Sequence, residues 1–214
     1  QSSTGSAAES ADATDVTLVL TTVDNDGGTA TLESNQSIDV TATNGTALNA
    51  DYDAGAFNKT VTFSVGESSG ATQNTTIDPS ADTLVEGNQT VTLGLSSTGI
   101  LSATGQMTNV FTIPDDNTAT VTVDASQALA EDGSTQGISV TLTTDGGATL
   151  ENALTVTLDA AAAAGTEAID ANFGVLGNFT FAAATGNGTS NSSVQITPVS
   201  DLLVEGDEDV TITP

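Results

Sequence analysis

The sequence predicts an all-β chain of two tandem Ig-like Greek-key β-sandwiches. Three observations predict it. β-Branched and polar residues alternate with a period of two, clusters of Gly, Asn and Asp punctuate that alternation, and the second half of the chain repeats the first.

The alternation is clearest in Val16-Thr17-Leu18-Val19-Leu20, Val61-Thr62-Phe63, Val121-Thr122-Val123 and Leu154-Thr155-Val156-Thr157-Leu158. Successive side chains of a strand point to opposite faces, so each segment reads as a half-buried strand. The intervening Asn25-Asp26-Gly27-Gly28 and Asp145-Gly146-Gly147 supply the positive φ angles that tight turns need. The five alanines of Ala160–Ala164 favour helix by propensity. They are too few to nucleate one, and an inter-strand loop is expected there.

The repeat is visible residue by residue. Asp82-Thr83-Leu84-Val85-Glu86-Gly87 returns as Asp201-Leu202-Leu203-Val204-Glu205-Gly206, an offset of 201 − 82 = 119. Ala47-Leu48-Asn49-Ala50-Asp51-Tyr52 answers to Ala168-Ile169-Asp170-Ala171-Asn172-Phe173, and Val61-Thr62-Phe63 to Phe179-Thr180-Phe181. Small drifts in offset place insertions in loops. The boundary is expected after Ile113-Pro114-Asp115-Asp116-Asn117, giving domains 1–116 and 117–214 joined by a short linker. The first copy opens on a Ser- and Ala-rich stretch, Gln1 to Glu9, that is hardly strand-like. The second stops at Pro214, one strand short of the first. Either further repeats follow or a neighbouring molecule supplies a strand.

Composition narrows the function. The 214 residues carry 28 Asp plus Glu against one Lys or Arg and no His, a net charge of -27. Such a surface repels nucleic acid and anionic membrane. Cysteine is absent, so no disulfide or thiolate metal site is available. No apolar run is long enough to span a bilayer, and Gln1 does not open a signal peptide, so the chain is expected to be processed or excerpted. Without His, Cys or Arg there is no imidazole base, thiolate or guanidinium clamp. Paired-carboxylate glycoside chemistry fits the inventory, but the tryptophans that line sugar clefts are missing, and no enzyme is expected. Lys59, the sole cation, carries no functional expectation. Tyr52 and Phe173, like Phe63 and Phe181, occupy equivalent repeat positions and read as core anchors.

A single acid near a turn is ordinarily a solvated turn former. Here the acids cluster: in each copy one follows the presumed first strand, one precedes the aromatic of the middle segment, and a third group precedes the late strand at Leu-Val-Glu-Gly. Alternate loops of a Greek-key sandwich return to the same end, so these segments are able to converge. Hard divalent cations prefer such carboxylate oxygen.

The ordered segments Gly45-Thr46-Ala47 through Asp51-Tyr52, Phe63-Ser64-Val65-Gly66-Glu67, Asp82-Thr83-Leu84-Val85-Glu86-Gly87 into Val91-Thr92-Leu93, and Ile113-Pro114-Asp115-Asp116 resemble the Calx-beta domain family across nearly the whole chain. The resemblance implies Ca2+ near one end of each sandwich. Carried onto this sequence, it implies Glu9, Asp51, Asp82, Glu86, Asp115 and Asp116 in the first copy. Glu9 lies on the poorly matched opening stretch. For the second copy it implies Glu131, Asp170, Asp201 and Glu205, although Asn172 stands where the pattern has Asp.

Eight of the 14 asparagines, Asn35, Asn44, Asn58, Asn74, Asn88, Asn178, Asn187 and Asn191, open Asn-x-Ser/Thr sequons, about twice the number that a chain this rich in Ser and Thr gives by chance. They are candidate glycosylation sites and favour an extracellular or cell-surface setting. The expected function is a structural or adhesive repeat segment of a surface or extracellular filament protein, stiffened by calcium. Its expected partners are further repeats, neighbouring copies or a cell-surface or matrix ligand, with no nucleic acid and no membrane insertion. Two alternatives stand beside it: a regulatory calcium-sensing module coupled to a partner domain, and a filament subunit polymerising by strand donation.

Overall fold

In the computed structural model the described residues are 5–24, 26, 28–53, 57–97, 99–101, 108–124, 128–130, 133–162, 174–200, 202 and 209–214. Their regular structure is all-β. The chain divides into two compact units, one made of Gln1–Asp82 and Gly87–Asp116, the other of Thr83–Glu86 and Asn117–Pro214.

In the first unit β1 (Thr14–Val19) pairs antiparallel with β4 (Thr72–Ile77). β2 (Gln36–Asn44), β3 (Asn58–Phe63), β6 (Gln89–Ser96) and β7 (Thr108–Ile113) form a second antiparallel sheet in the order β3-β2-β6-β7. The chain thus passes from one sheet to the other, back, and over again, as a Greek-key sandwich requires. Period two does the sorting. On β2, Ile38 and Val40 are buried while Ser37, Asp39 and Thr41 face outward. Leu18 and Ile77 from the first sheet meet Val40, Val61, Phe63 and Val91 from the second in one core cluster.

The opening stretch of this unit is held although it does not read as a strand. Ser6 bridges Thr112 in parallel, the Ala7 amide donates to the Thr112 carbonyl at 3.2 Å, and the Thr112 amide donates to the Gly5 carbonyl at 3.1 Å. Gly5 is required by this approach, because a Cβ there would stand 2.7 Å from the Phe111 ring.

The second unit contains β5 (Leu84–Val85), β8 (Ala119–Val123), β9 (Gln136–Gly137), β10 (Val140–Thr144), β11 (Thr149–Leu150), β12 (Leu154–Ala162), β13 (Gly174–Phe181), β14 (Thr189–Asn191), β15 (Gln195–Ile196) and β16 (Val210–Thr213). Its larger sheets run β14-β10-β8 and β13-β12-β16, with short ladders between β15 and β9 and, in parallel, between β11 and β5. Leu142, Leu158, Phe179, Phe181 and Val194 build its core, with the two phenylalanine rings edge to face at 5.4 Å.

Strand registers repeat between the units. Gln36 faces Phe63 and Leu154 faces Phe181, each 118 residues on; Asn44 faces Val91 and Ala162 faces Val210. By this register β16 corresponds to β6. Among the described residues its outer edge carries no paired strand, whereas the matching edge of β6 carries β7.

One expectation is corrected. The alanine run is not a loop where it is described: Ala160, Ala161 and Ala162 continue β12 and pair with Ile212, Thr211 and Val210. Strand partners and burial of the Ala160 side chain against the core override a weak helical propensity. Ala163 and Ala164 lie outside the described residues.

Candidate metal centre

The candidate site lies at the end of the first unit where β7 finishes. After Ile113 the chain turns through Pro114 into Asp115 and Asp116, and the Pro114 carbonyl accepts the Glu9 amide at 3.3 Å. That contact continues the parallel pairing of the opening stretch and places Glu9 beside the two aspartates. Carboxylate oxygens of Glu9, Asp115 and Asp116 lie within 4.8 Å of one another. Glu9 is only 2% exposed, Asp115 half-buried and Asp116 exposed.

Glu9 carries the unusual chemistry. Its Oε2 is buried and accepts no hydrogen bond, an arrangement that is expensive for a carboxylate unless a proton or cation satisfies it. Its pKa is raised from the ordinary 4.5 to about 7, first by burial and then by the negative charges of Asp82, Asp115, Asp116 and Asp51. Four of the six expected first-copy acids therefore act on Glu9.

Asp115 is held from the other side. Its Oδ2 accepts the Gly87 amide at 2.8 Å, tying the turn before β6 to the segment after β7. Asp51 is 4% exposed and its Oδ2 accepts the Leu48 amide, which orders the bend leading to Tyr52. Tyr52 is buried, and its hydroxyl donates to Asn44 Oδ1 at 2.6 Å. Burial first, then Asp51 and Asp53, raise the Tyr52 pKa. Lys59 forms an ion pair with Asp53 at 3.0 Å and lies 5.5 Å from the Phe57 ring centroid.

Of the first-copy acids, Glu9, Asp51, Asp82, Asp115 and Asp116 share this field, and carboxylate oxygens of Glu9 and Asp82 also lie within 4.8 Å of one another. Glu86 is half-buried on the Thr83–Glu86 segment that counts with the second unit. Glu131, Asp170, Asp201 and Glu205 lie outside the described residues, as does Phe173. Sequence reasoning gave no role to the Gly87 amide or the Pro114 carbonyl, although both residues stand inside the motifs that drew attention to the acids.

The donor set fits a hard cation. It is all carboxylate oxygen, it lacks nitrogen and sulfur, and it contains a buried oxygen without a partner.

No family model and no curated protein matches the chain. Among solved structures it is similar to the calcium binding domain CBD12 of CALX1.1, at 14% identity and a TM-score of 0.43, covering 98% of this chain and 76% of that one. It is similar to CBD12 from CALX1.2 at 15% identity and a TM-score of 0.43, covering 91% and 71%. The apo form of the Calx CBD1 domain aligns at 18% identity and a TM-score of 0.42, covering 52% of this chain and 89% of that domain. No helix among the described residues is long and apolar enough to cross a membrane.

Proposed function

We propose that this chain is a pair of Calx-beta-type sandwiches, residues 1–116 and 117–214, serving as a structural or adhesive segment of an extracellular or cell-surface protein and stiffened by calcium. The observation that carries this reading is the buried, unpartnered Glu9 carboxylate among Asp115, Asp116 and their acidic neighbours. In the absence of a cation, unit charges about 4 Å apart repel by about 4 kcal/mol at an effective dielectric of 20. Calcium takes six to eight oxygens and would draw the opening stretch, the turn at Gly87 and the Pro114–Asp116 segment into one ordered end. Glu9, Asp82, Asp115 and Asp116 would hold it, with Asp51 adding to the field. The ion supplies charge compensation and rigidity, not reaction chemistry. Partners of this segment would be further repeats, neighbouring copies or a surface or matrix ligand.

The test is a thermal melt at fixed ionic strength, first with EDTA and then with calcium. A ligand bound only by the native state raises Tm by mass action. A rise that saturates at roughly 10⁻⁴ to 10⁻³ M supports an extracellular module, and saturation at roughly 10⁻⁷ to 10⁻⁵ M supports a sensor instead. A flat response sinks both.

A further inference from the structure

The eight sequon asparagines lie outside the acidic cluster, and what each side-chain amide already does separates them. A sugar on Nδ2 needs that nitrogen turned to solvent, whereas Oδ1 keeps its capacity to accept. At Asn35, Oδ1 accepts the Val65 amide at 2.9 Å; at Asn187, Oδ1 accepts the Thr144 amide at 3.2 Å. A main-chain N–H only donates, so the oxygen and not the nitrogen must face it in both cases. Both asparagines are exposed.

Asn58 and Asn88 are exposed with no side-chain hydrogen bond among the described residues; Asn58 begins β3 on the same outward face as Thr60. Asn191 is the opposite case. Its Nδ2 donates to the Thr180 carbonyl at 3.2 Å, its Oδ1 accepts the Ser193 amide at 2.9 Å, and it is half-buried. A carbonyl only accepts, so this orientation is equally fixed. At Asn74 the nitrogen is engaged with Asp15 Oδ2 at 3.1 Å. Asn44 and Asn178 face hydroxyls, which permit either orientation.

We propose that Asn35, Asn58, Asn88 and Asn187 carry N-linked glycans and that Asn191 does not, an assignment that rests on the extracellular reading above. The donor is an oligosaccharide linked through phosphate to a lipid. The bond from Nδ2 to the sugar C1 forms, the bond from C1 to the phosphate oxygen breaks, the amide proton passes to the transferase and the lipid phosphate leaves. No redox partner is needed.

The experiment has two arms. The chain is secreted from a eukaryotic host, freed of N-glycans enzymatically in ¹⁸O water and read by peptide mass spectrometry. Label at Asn35, Asn58, Asn88 and Asn187 with a blank at Asn191 is expected. Full label at Asn191, or blanks at Asn35 and Asn187, overturns the assignment. In the second arm, unglycosylated N35D, N187D and N191D are melted. N35D and N187D keep their acceptors and should melt like the parent, whereas N191D sets a carboxylate against the Thr180 carbonyl and should lose roughly 4–8 °C. Equal losses in all three overturn the geometry. A blank at every site in secreted protein overturns the glycans alone, because the calcium melts test the underlying reading separately.

Discussion

The Gly87 amide donates to Asp115 Oδ2 at 2.8 Å, so the turn that opens β6 is fastened to the acidic segment that closes β7. Gly87 has a φ of +79, and a Cβ built there meets nothing within 4 Å. Gly87→Ala should therefore act through backbone strain alone and cost about 1–2 kcal/mol. Urea denaturation in EDTA measures it. An unchanged midpoint would mean that the turn is not held in the left-handed conformation.

Asp115→Asn separates charge from geometry. The amide oxygen remains able to accept from Gly87, while one negative charge leaves the field around Glu9. The variant should melt higher than the parent in EDTA and gain less from calcium. If it melts lower in EDTA and keeps the full calcium shift, Asp115 is a structural cap and not a ligand.

The pH dependence without metal follows from Glu9, whose folded pKa of about 7 lies above its ordinary 4.5. Between these values the folded state holds the proton more tightly than the unfolded state, so the stability contributed by protonated Glu9 is full below pH 4.5 and is lost as pH rises through 7. At about 1.4 kcal/mol per pKa unit the loss approaches roughly 3 kcal/mol. Melts in EDTA should fall from pH 5 to pH 8, and Glu9→Gln should flatten that slope. Calcium competes with the same proton, so its affinity should strengthen over the same interval. A slope that Glu9→Gln leaves untouched would place the titration elsewhere in this acidic chain.

Much of this organisation was legible because period two and turn chemistry are local. Ile38 and Val40 on β2, or Phe179 and Phe181 on β13, announce their faces by spacing alone, and Asp145-Gly146-Gly147 announces its turn, with φ of +40 and +106 at the two glycines. The acids converge because alternate loops return to one end, which topology supplies. What the sequence could not convey depends on long-range pairing. The place of Glu9 rests on a parallel contact with β7 through a stretch without β propensity, and Ala160 and Ala161 are strand because β16 pairs with them. The association of Thr83–Glu86 with the second unit rests on a two-residue parallel ladder to Thr149 and Leu150. No pattern within that short segment signals it.

The two cores are separable by truncation of one buried ring in each. Phe111 is 1% exposed on β7, three residues before Pro114, and packs in the first cluster; Phe179 is 2% exposed on β13 and packs against Phe181 in the second. Truncating a buried phenylalanine to alanine costs about 3–5 kcal/mol, through lost transfer energy and the cavity left behind. Phe111→Ala loosens the strand from which the Pro114–Asp116 segment emerges, so it should lower Tm and weaken the calcium shift together. Phe179→Ala should cost comparable stability while the shift from calcium persists, because Glu9, Asp115 and Asp116 all belong to the first unit. Calorimetry of both variants, with EDTA and with calcium, separates these effects. If Phe179→Ala abolishes the calcium response and Phe111→Ala spares it, the ion is held by the second unit and the centre assigned to Glu9 is wrong.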